Sequence, residues 1–128
     1  MPAYQDYIAK SQVAEAFTLA DGLKTSIGTN RQNGSCYANS TATTAGAEDK
    51  ITGKYGKAEI LQETKDNKLN CGIYYKFEAK GVSDLLKNKE IVLKVDEDSG
   101  TLKLMSGSNT LGQKKSDIPT KYLPSAFR

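Results

Sequence analysis

The chain has 128 residues, of which 38% are hydrophobic and 26% are charged, so it supplies one modest hydrophobic core and is predicted to form one domain over 1–128. The formal net charge of +3 comes from 18 basic and 15 acidic residues interspersed along the chain, which argues against the concentrated basic stripe of a nucleic-acid-binding domain. Because the chain has no histidine, it lacks the commonest general base and metal ligand, and we expect no catalytic, metal or cofactor site.

Residues 3–27 are predicted to form one long amphipathic helix. Apolar residues recur there at three- and four-residue steps and therefore share one stripe: Ala9, Val13, Ala16, Phe17, Ala20, Leu23 and Ile27. Pro2 is tolerated in a first helical turn, and Gly28 is predicted to end the helix. We expect the middle of the stripe to pack against a sheet through Val13, Ala16, Phe17, Ala20 and Leu23.

A second apolar cluster, formed by Tyr4, Tyr7 and Ile8, lies at the beginning of this helix and away from the main stripe. Apolar residues on two sides of one helix end favour a surface that contacts neighbouring molecules. The alternative is that these side chains fold back onto their own domain where the helix frays.

Residues 28–56 are rich in Gly, Asn, Ser, Thr and Ala and show little periodicity, which predicts a long surface connection. Cys36 lies within this connection, and Cys71 is the second of the two cysteines. Their wide spacing does not fit a CxxC metal or redox motif, so we predict a disulfide that ties the loop down. Two unrelated buried thiols are the alternative. A disulfide would place the protein in an oxidising compartment such as the periplasm or the cell exterior.

From residue 57 onward a two-residue alternation predicts four strands, at 57–62, 72–80, 90–95 and 101–105. The sum of these elements is an α+β fold, in which one long helix packs across a four-stranded antiparallel sheet.

Three segments outside these strands are predicted to have other structures. Residues 82–88 are predicted to form a short helical turn with Leu85 and Leu86 pointing inward. Residues 96–100 are predicted to be a polar hairpin loop; its carboxylates resemble the opening of a calcium loop but lack the later ligands. The tail, 106–128, is predicted to be irregular because its two prolines exclude regular sheet.

Several motifs resemble one known family. Residues 2–12, PAYQDYIAKSQ, resemble the mid-helix segment of type IVa pilins, and this is the most specific match. The loop motif Gly34-Ser35-Cys36 and the stretch Gly81-Val82-Ser83 are similar to the same family. The closing segment 118–125, IPTKYLPS, resembles the end of pilins from Pseudomonas- and Acinetobacter-like bacteria.

The resemblance implies a structural subunit of a type IV pilus fibre. Such fibres support twitching motility, adhesion to host or abiotic surfaces and DNA uptake. The family pattern divides the chain into the C-terminal half of a long helix, an αβ-loop, a sheet and a C-terminal loop, here 1–27, 28–56, 57–105 and 106–128. Tyr4, Tyr7 and Ile8 then become fibre contacts.

The family also implies a hydrophobic N-terminal half-helix, absent from this sequence, that anchors the subunit in the inner membrane and later packs in the extracellular fibre. That segment would hold the prepilin peptidase site and a methylated first residue. The implied partners are other pilin subunits, the pilus assembly machinery, and in some relatives surfaces or DNA. A minor pilin or a type II secretion pseudopilin is the alternative, whereas no motif supports a small hydrolase or an unrelated binding module.

The sequence departs from many relatives in its tail. Those relatives carry a second disulfide near the C-terminus, but no cysteine follows Cys71 here. We therefore predict that burial holds the tail, with Tyr122 and Leu123 against the sheet and Phe127 in the region of Leu104 or Met105.

Overall fold

A computed structural model of the chain describes residues 2–96, 101–105, 110–111, 114–124 and 127, without the side chains of 2–6 and 120. The helix is α1 (Pro2–Asn30), and the strands are β1 (Lys50–Thr52), β2 (Gly56–Lys65), β3 (Lys68–Phe77), β4 (Glu90–Val95) and β5 (Leu102–Leu104). The strands form one antiparallel sheet in sequence order, and α1 contacts β2 and β3. The α+β prediction is therefore confirmed, with five strands in place of four. Across the described residues, no helix is long and apolar enough to cross a bilayer.

The apolar stripe of α1 is buried against the sheet. Every predicted member is at most 9% exposed: Ala9, Val13, Ala16, Phe17, Ala20, Leu23 and Ile27. The inward residues of the central strands complete this core: Ala58, Ile60, Ile73, Tyr75, Phe77, Ile91 and Leu93. Helix and sheet meet through these two sets, which is why the three-residue and two-residue periods were both visible in the sequence.

The prediction that the helix ends at Gly28 is wrong. Ile27 is fully buried, and α1 stays on the sheet until Asn30 before a single 3-10 turn follows. The stop lies at Gly34, which adopts a φ of 83° and donates its N–H to the Arg31 carbonyl at 3.0 Å. A left-handed residue just past a helix is the usual glycine stop, whereas Gly28 keeps helical geometry.

The sheet is larger than predicted at two places. β1 lies within the segment predicted to be a loop, and its three residues are too few to show an alternation. β2 continues past the predicted end at 62 to Lys65, and β3 starts at Lys68, before the predicted start at 72. The two strands form one hairpin whose turn is Asp66 and Asn67. Both turn residues have positive φ, 53° and 64°, the geometry of a type I′ turn that matches the twist of the strands.

The strand predicted over 72–80 ends at Phe77, so Ala79 and Lys80 lie outside the sheet. The chain leaves the sheet there because the Glu78 N–H donates to the Tyr55 carbonyl at 2.9 Å and Gly81 takes a φ of 79°.

The segment predicted to be a helical turn, 82–88, is a run of turns and not a helix. Leu86 is fully buried and Leu85 is half-buried, as the prediction required. The hairpin loop after β4 is closed by a bond from the Asp96 N–H to the Thr101 carbonyl at 2.8 Å. Its remaining residues, 97–100, which carry the calcium-like carboxylates, lie outside the described residues.

Candidate assembly surface

The beginning of α1 presents apolar surface to solvent. Tyr7 is 72% exposed, which is exceptional for a large hydrophobic side chain among the described residues. Ile8 is half-buried and lines a shallow groove of about 230 Å³ with Val82 and Leu85. The Tyr4 side chain lies outside the described part of the chain. Of the three residues predicted here, the structure brings Ile8 against the 82–85 loop and leaves Tyr7 in solvent.

Gln12 fixes that loop against the helix. Its side chain is only 8% exposed, and its Oε1 accepts a hydrogen bond from the Ser83 N–H at 2.8 Å. Sequence reasoning missed this residue because it is polar. The available signal was its position, four residues after Ile8 and four before Ala16, which puts it in phase with the buried side.

The predicted disulfide between Cys36 and Cys71 is confirmed. The two residues are fully buried with their Cα atoms 5.5 Å apart, and the described chain contains no free cysteine. The bond joins the loop after α1 to the middle of β3, in the part that precedes the predicted start of that strand. It therefore fastens the loop directly to the sheet.

A shell of polar side chains surrounds the disulfide. The Gln62 Oε1 accepts bonds from the Cys36 N–H at 2.7 Å and from the Ser35 hydroxyl at 3.0 Å. The Asn30 amide donates to the Cys36 carbonyl at 3.0 Å, and the Arg31 guanidinium donates to a β3 carbonyl at 3.1 Å. Buried backbone groups near the bond thus have partners, and none of these four side chains was predicted from the sequence.

Asp49 organises the second half of the same loop. Its carboxylate is 1% exposed and accepts bonds from the Ala38 N–H at 2.8 Å and from the Gly46 N–H at 2.9 Å. Burial raises the pKa of the neighbouring Tyr37 phenol, and the negative charge of Asp49 raises it further. The phenol is therefore neutral at physiological pH. The Asp49 carboxylate is thus the charged group that holds this part of the loop.

Replacing Asp49 by Ala is expected to lower the free energy of unfolding by about 2–4 kcal/mol, because two N–H groups lose a charged acceptor. The isosteric change Asp49→Asn retains one acceptor oxygen and should cost about half as much. Urea denaturation of both variants with the disulfide intact measures the difference. Equal stability of the Ala variant and the parent chain would show that water replaces the carboxylate without loss.

The C-terminal segment is fastened to the free part of the β4 edge. The Ser116 Oγ accepts a bond from the Val92 N–H at 2.8 Å and donates to the Val92 carbonyl at 3.2 Å. The Asp117 carboxylate accepts from the Glu90 N–H at 2.6 Å. These side chains extend the ladder past the end of β5, which pairs with β4 only near Val95.

Leu111 anchors the same segment on the outer face of the sheet, the face opposite α1. It is 1% exposed and exchanges two backbone hydrogen bonds with Lys114, at 2.9 and 3.0 Å. Leu111 lies over Gly72, where any side chain would occupy its place. The tail is therefore held without a second disulfide. Part of it packs on the outer face of the sheet, which no prediction covered.

The last described residues pack on the helix. Tyr122 and Leu123 are 3% and 1% exposed, and the 3-10 turn Thr120–Tyr122 contacts α1. The Phe127 ring lies 4.6 Å from the Phe17 ring, centroid to centroid. The ring also lines a groove with Thr101 and Leu102 at β5, beside the predicted region of Leu104 or Met105.

Within the described ranges, no group of three or more His, Cys, Asp or Glu side chains is placed to hold a metal ion. The functional features are an exposed helix side, a fastened loop and a fastened tail.

Comparison with known proteins gives these surfaces a context. A family model for pilins, which are bacterial filament proteins, matches residues 9–128. The chain belongs to the pilin family. A fimbrial protein of Moraxella nonliquefaciens is 58% identical over the whole of this chain and 82% of its own length. A type IV major fimbrial protein FimA of Dichelobacter nodosus is 38% identical over the whole chain and 81% of its own length.

These relatives confirm the predicted kinship with type IV major pilins. The pilin family is structural and non-enzymatic, and its members assemble with other pilin subunits into surface fibres. This pilin is accordingly a type IV fimbrial subunit.

Proposed function

We propose that this pilin is the major subunit of an extracellular type IV pilus fibre that supports twitching motility, adhesion to host or abiotic surfaces and DNA uptake. In this proposal the pilus assembly machinery adds and removes subunits, and α1 is the element through which they contact one another. The observation that carries the proposal is the one-sided burial of α1, which leaves one helix side exposed among the described residues from Tyr7 onward.

The exposed side of α1 carries small side chains at three- and four-residue steps: Ser11, Ala14, Thr18, Gly22 and Thr25. Small side chains let a neighbouring helix approach closely, toward the short end of the 8–10 Å range of packed helix axes. This side supports a helical contact between subunits along the fibre.

Tyr7 supplies an anchor for the same contact. An aromatic ring that is 72% exposed gains most when a neighbouring molecule buries it, and tyrosines are enriched among residues that dominate interfaces. The groove beside it, lined by Ile8, Val82 and Leu85, extends the apolar surface. We therefore assign Tyr7 and Ile8 to the contact between subunits, with Tyr4 as the third expected member.

The test is complementation in a pilin-null strain, with the chain expressed behind the N-terminal segment that the family resemblance calls for. The parent chain should restore fibres in electron micrographs and twitching zones on agar. The variant Tyr7→Ser should form far fewer fibres, because each subunit contact loses about 2 kcal/mol. Lys80→Ser, an exposed change away from α1, is the matched control and should behave like the parent chain.

Three outcomes would contradict parts of the proposal. Abundant fibres from the Tyr7 variant would remove this residue from the contact. Fibres that appear only when another pilin is also expressed would make the chain a minor pilin. Normal fibres without transformation by added DNA, or without attachment to surfaces, would remove those two functions separately.

A further inference from the structure

The outer face of the sheet carries an excess of positive charge. Strand alternation and register place seven lysines on it: Lys50, Lys57, Lys65, Lys68, Lys76, Lys94 and Lys103. Four carboxylates share this side: Glu59, Glu63, Glu90 and Asp96. The strands and Asp96 alone thus carry an excess of three positive charges. The charge that appeared evenly spread in the sequence is therefore concentrated by folding.

Six of these lysines stand directly opposite one another across neighbouring strands, as the pairs Lys57–Lys76, Lys65–Lys68 and Lys94–Lys103. Like charges directly opposite one another destabilise a sheet. Lys76 also stands opposite Glu90 on β4, but within each of the three pairs the like charges oppose folding. An anionic partner would turn the same arrangement into a binding surface.

A cavity of about 380 Å³ lies on this face, beside the anchored C-terminal segment. It is lined by three ammonium groups, one carboxylate, an amide, a hydroxyl and two apolar side chains: Lys65, Lys94, Lys103, Glu63, Asn70, Thr110, Met105 and Leu111. Lys103 contacts the Asp96 carboxylate only at 3.7 Å. The cavity falls within the volume range of small-ligand sites. Its lining suits a ring that carries a carboxylate, hydroxyl groups and an apolar face, which describes an acidic sugar.

The partner is better matched by a polysaccharide than by a nucleic acid. Tyr74 is the one outward aromatic residue of the strands on this face, and the Lys114 ammonium covers its ring at 4.5 Å. Bases therefore find a single, partly covered ring, whereas surfaces that bind single-stranded nucleic acids stack successive bases on several aromatic side chains.

We propose that the outer face of the sheet binds an acidic polysaccharide, with one carboxylated sugar in the cavity and the lysine pairs contacting sugars further along the polymer. The inference deepens the adhesion part of the proposed function, since a polysaccharide coat is a surface of this chemistry. It does not require a fibre, because the chain alone carries the face.

The test measures binding of the purified chain to immobilised polygalacturonate, with neutral dextran and duplex DNA as comparison ligands. We expect binding to polygalacturonate that weakens with added salt, weaker binding to DNA, and none to dextran. The double variant Lys94→Gln with Lys103→Gln should bind polygalacturonate about tenfold less tightly. The control Lys10→Gln with Lys80→Gln removes the same charge elsewhere and should bind like the parent chain.

A second variant keeps the test independent of folding. Lys94→Arg with Lys103→Arg retains both charges and should retain binding, and the Gln variant should melt no lower than the parent chain because its like-charge pair is gone. Equal losses in the Gln variant and the control would overturn the proposal in favour of net charge alone. Absence of binding at low salt, or tighter binding to DNA, would also overturn it. In the pilin-null strain the Gln variant should still form fibres. Its loss of polysaccharide binding would then be separate from any loss of assembly.

Discussion

The double variant Cys36→Ser with Cys71→Ser is expected to lose about 4 kcal/mol of unfolding free energy. The disulfide joins residues with a sequence separation of 35, and its removal returns the conformational freedom of that long loop to the unfolded chain. Domains of this size have about 5–15 kcal/mol in total, so the loss removes a large share. Urea denaturation of both chains at one pH measures it.

Reduction of the parent chain with a thiol reagent provides the control, since it breaks the same bond without changing a residue. The reduced parent and the serine variant should unfold at similar urea concentrations. Amide hydrogen exchange should accelerate first in the loop, where Gln62 holds the Cys36 N–H and Asp49 holds the Ala38 N–H. A loss below about 1 kcal/mol would show that these hydrogen bonds suffice without the covalent bond.

Gly72→Ala is expected to cost about 3 kcal/mol, the upper part of the usual range for an overfilled core position. A Cβ at this position would overlap the Leu111 side chain and lie 2.6 Å from the Leu93 carbonyl oxygen. The Leu111 side chain would have to leave the outer face, while the neighbouring strand backbone has no room to move. Thermal and urea unfolding of the variant measure the cost.

Gly28→Ala is the matched control for this change. Gly28 is an exposed helical residue, and a Cβ there meets nothing within 4 Å. The alanine should raise stability by up to about 1 kcal/mol through its helix propensity. If Gly72→Ala is as stable as the parent chain, Leu111 does not pack where the structure places it. In the combined variant Gly72→Ala with Leu111→Ala, the overlap with the Leu111 side chain is removed and the short contact with the Leu93 carbonyl oxygen remains. The stability of this variant therefore distinguishes the two contacts.

The helix was predictable because its signal is local and repeated. Seven apolar positions in one phase leave little choice of buried side, and all seven are buried. Its end was not predictable from Gly28 alone. Whether a glycine stops a helix depends on how its neighbours pack, and here the buried Ile27 and the left-handed Gly34 decide the matter.

The sheet was only partly predictable, because strand pairing is a long-range property. Apart from Leu69 and Cys71, the residues between 62 and 72 are polar, so the alternation that identifies a strand is weak there. The turn at Asp66 and Asn67 is the better signal. The short strand β1 exists only because β2 supplies its partners. No local pattern of three residues encodes such a pairing.

Some features of the functional surface were likewise predictable from the sequence, and others were not. The disulfide followed from cysteine count and spacing, whereas the assignment of Tyr7 and Ile8 to a contact between subunits stays a prediction. The contact of Phe127 with Phe17 was not predicted, since only the path of the whole tail brings the two rings together. The lysine pairs were invisible because residues such as Lys94 and Lys103 meet only when the strands align.

The contact of the tail with β4 also matters where many subunits are crowded together. A filament subunit works at very high local concentration, where an open strand edge would recruit other copies into amyloid-like sheets. In this subunit the Glu90 and Val92 N–H groups are already taken by the Asp117 carboxylate and the Ser116 hydroxyl. At the other edge β1 is only three residues long and begins with Lys50. The part of β4 that β5 leaves open is thereby closed to other copies while subunits accumulate.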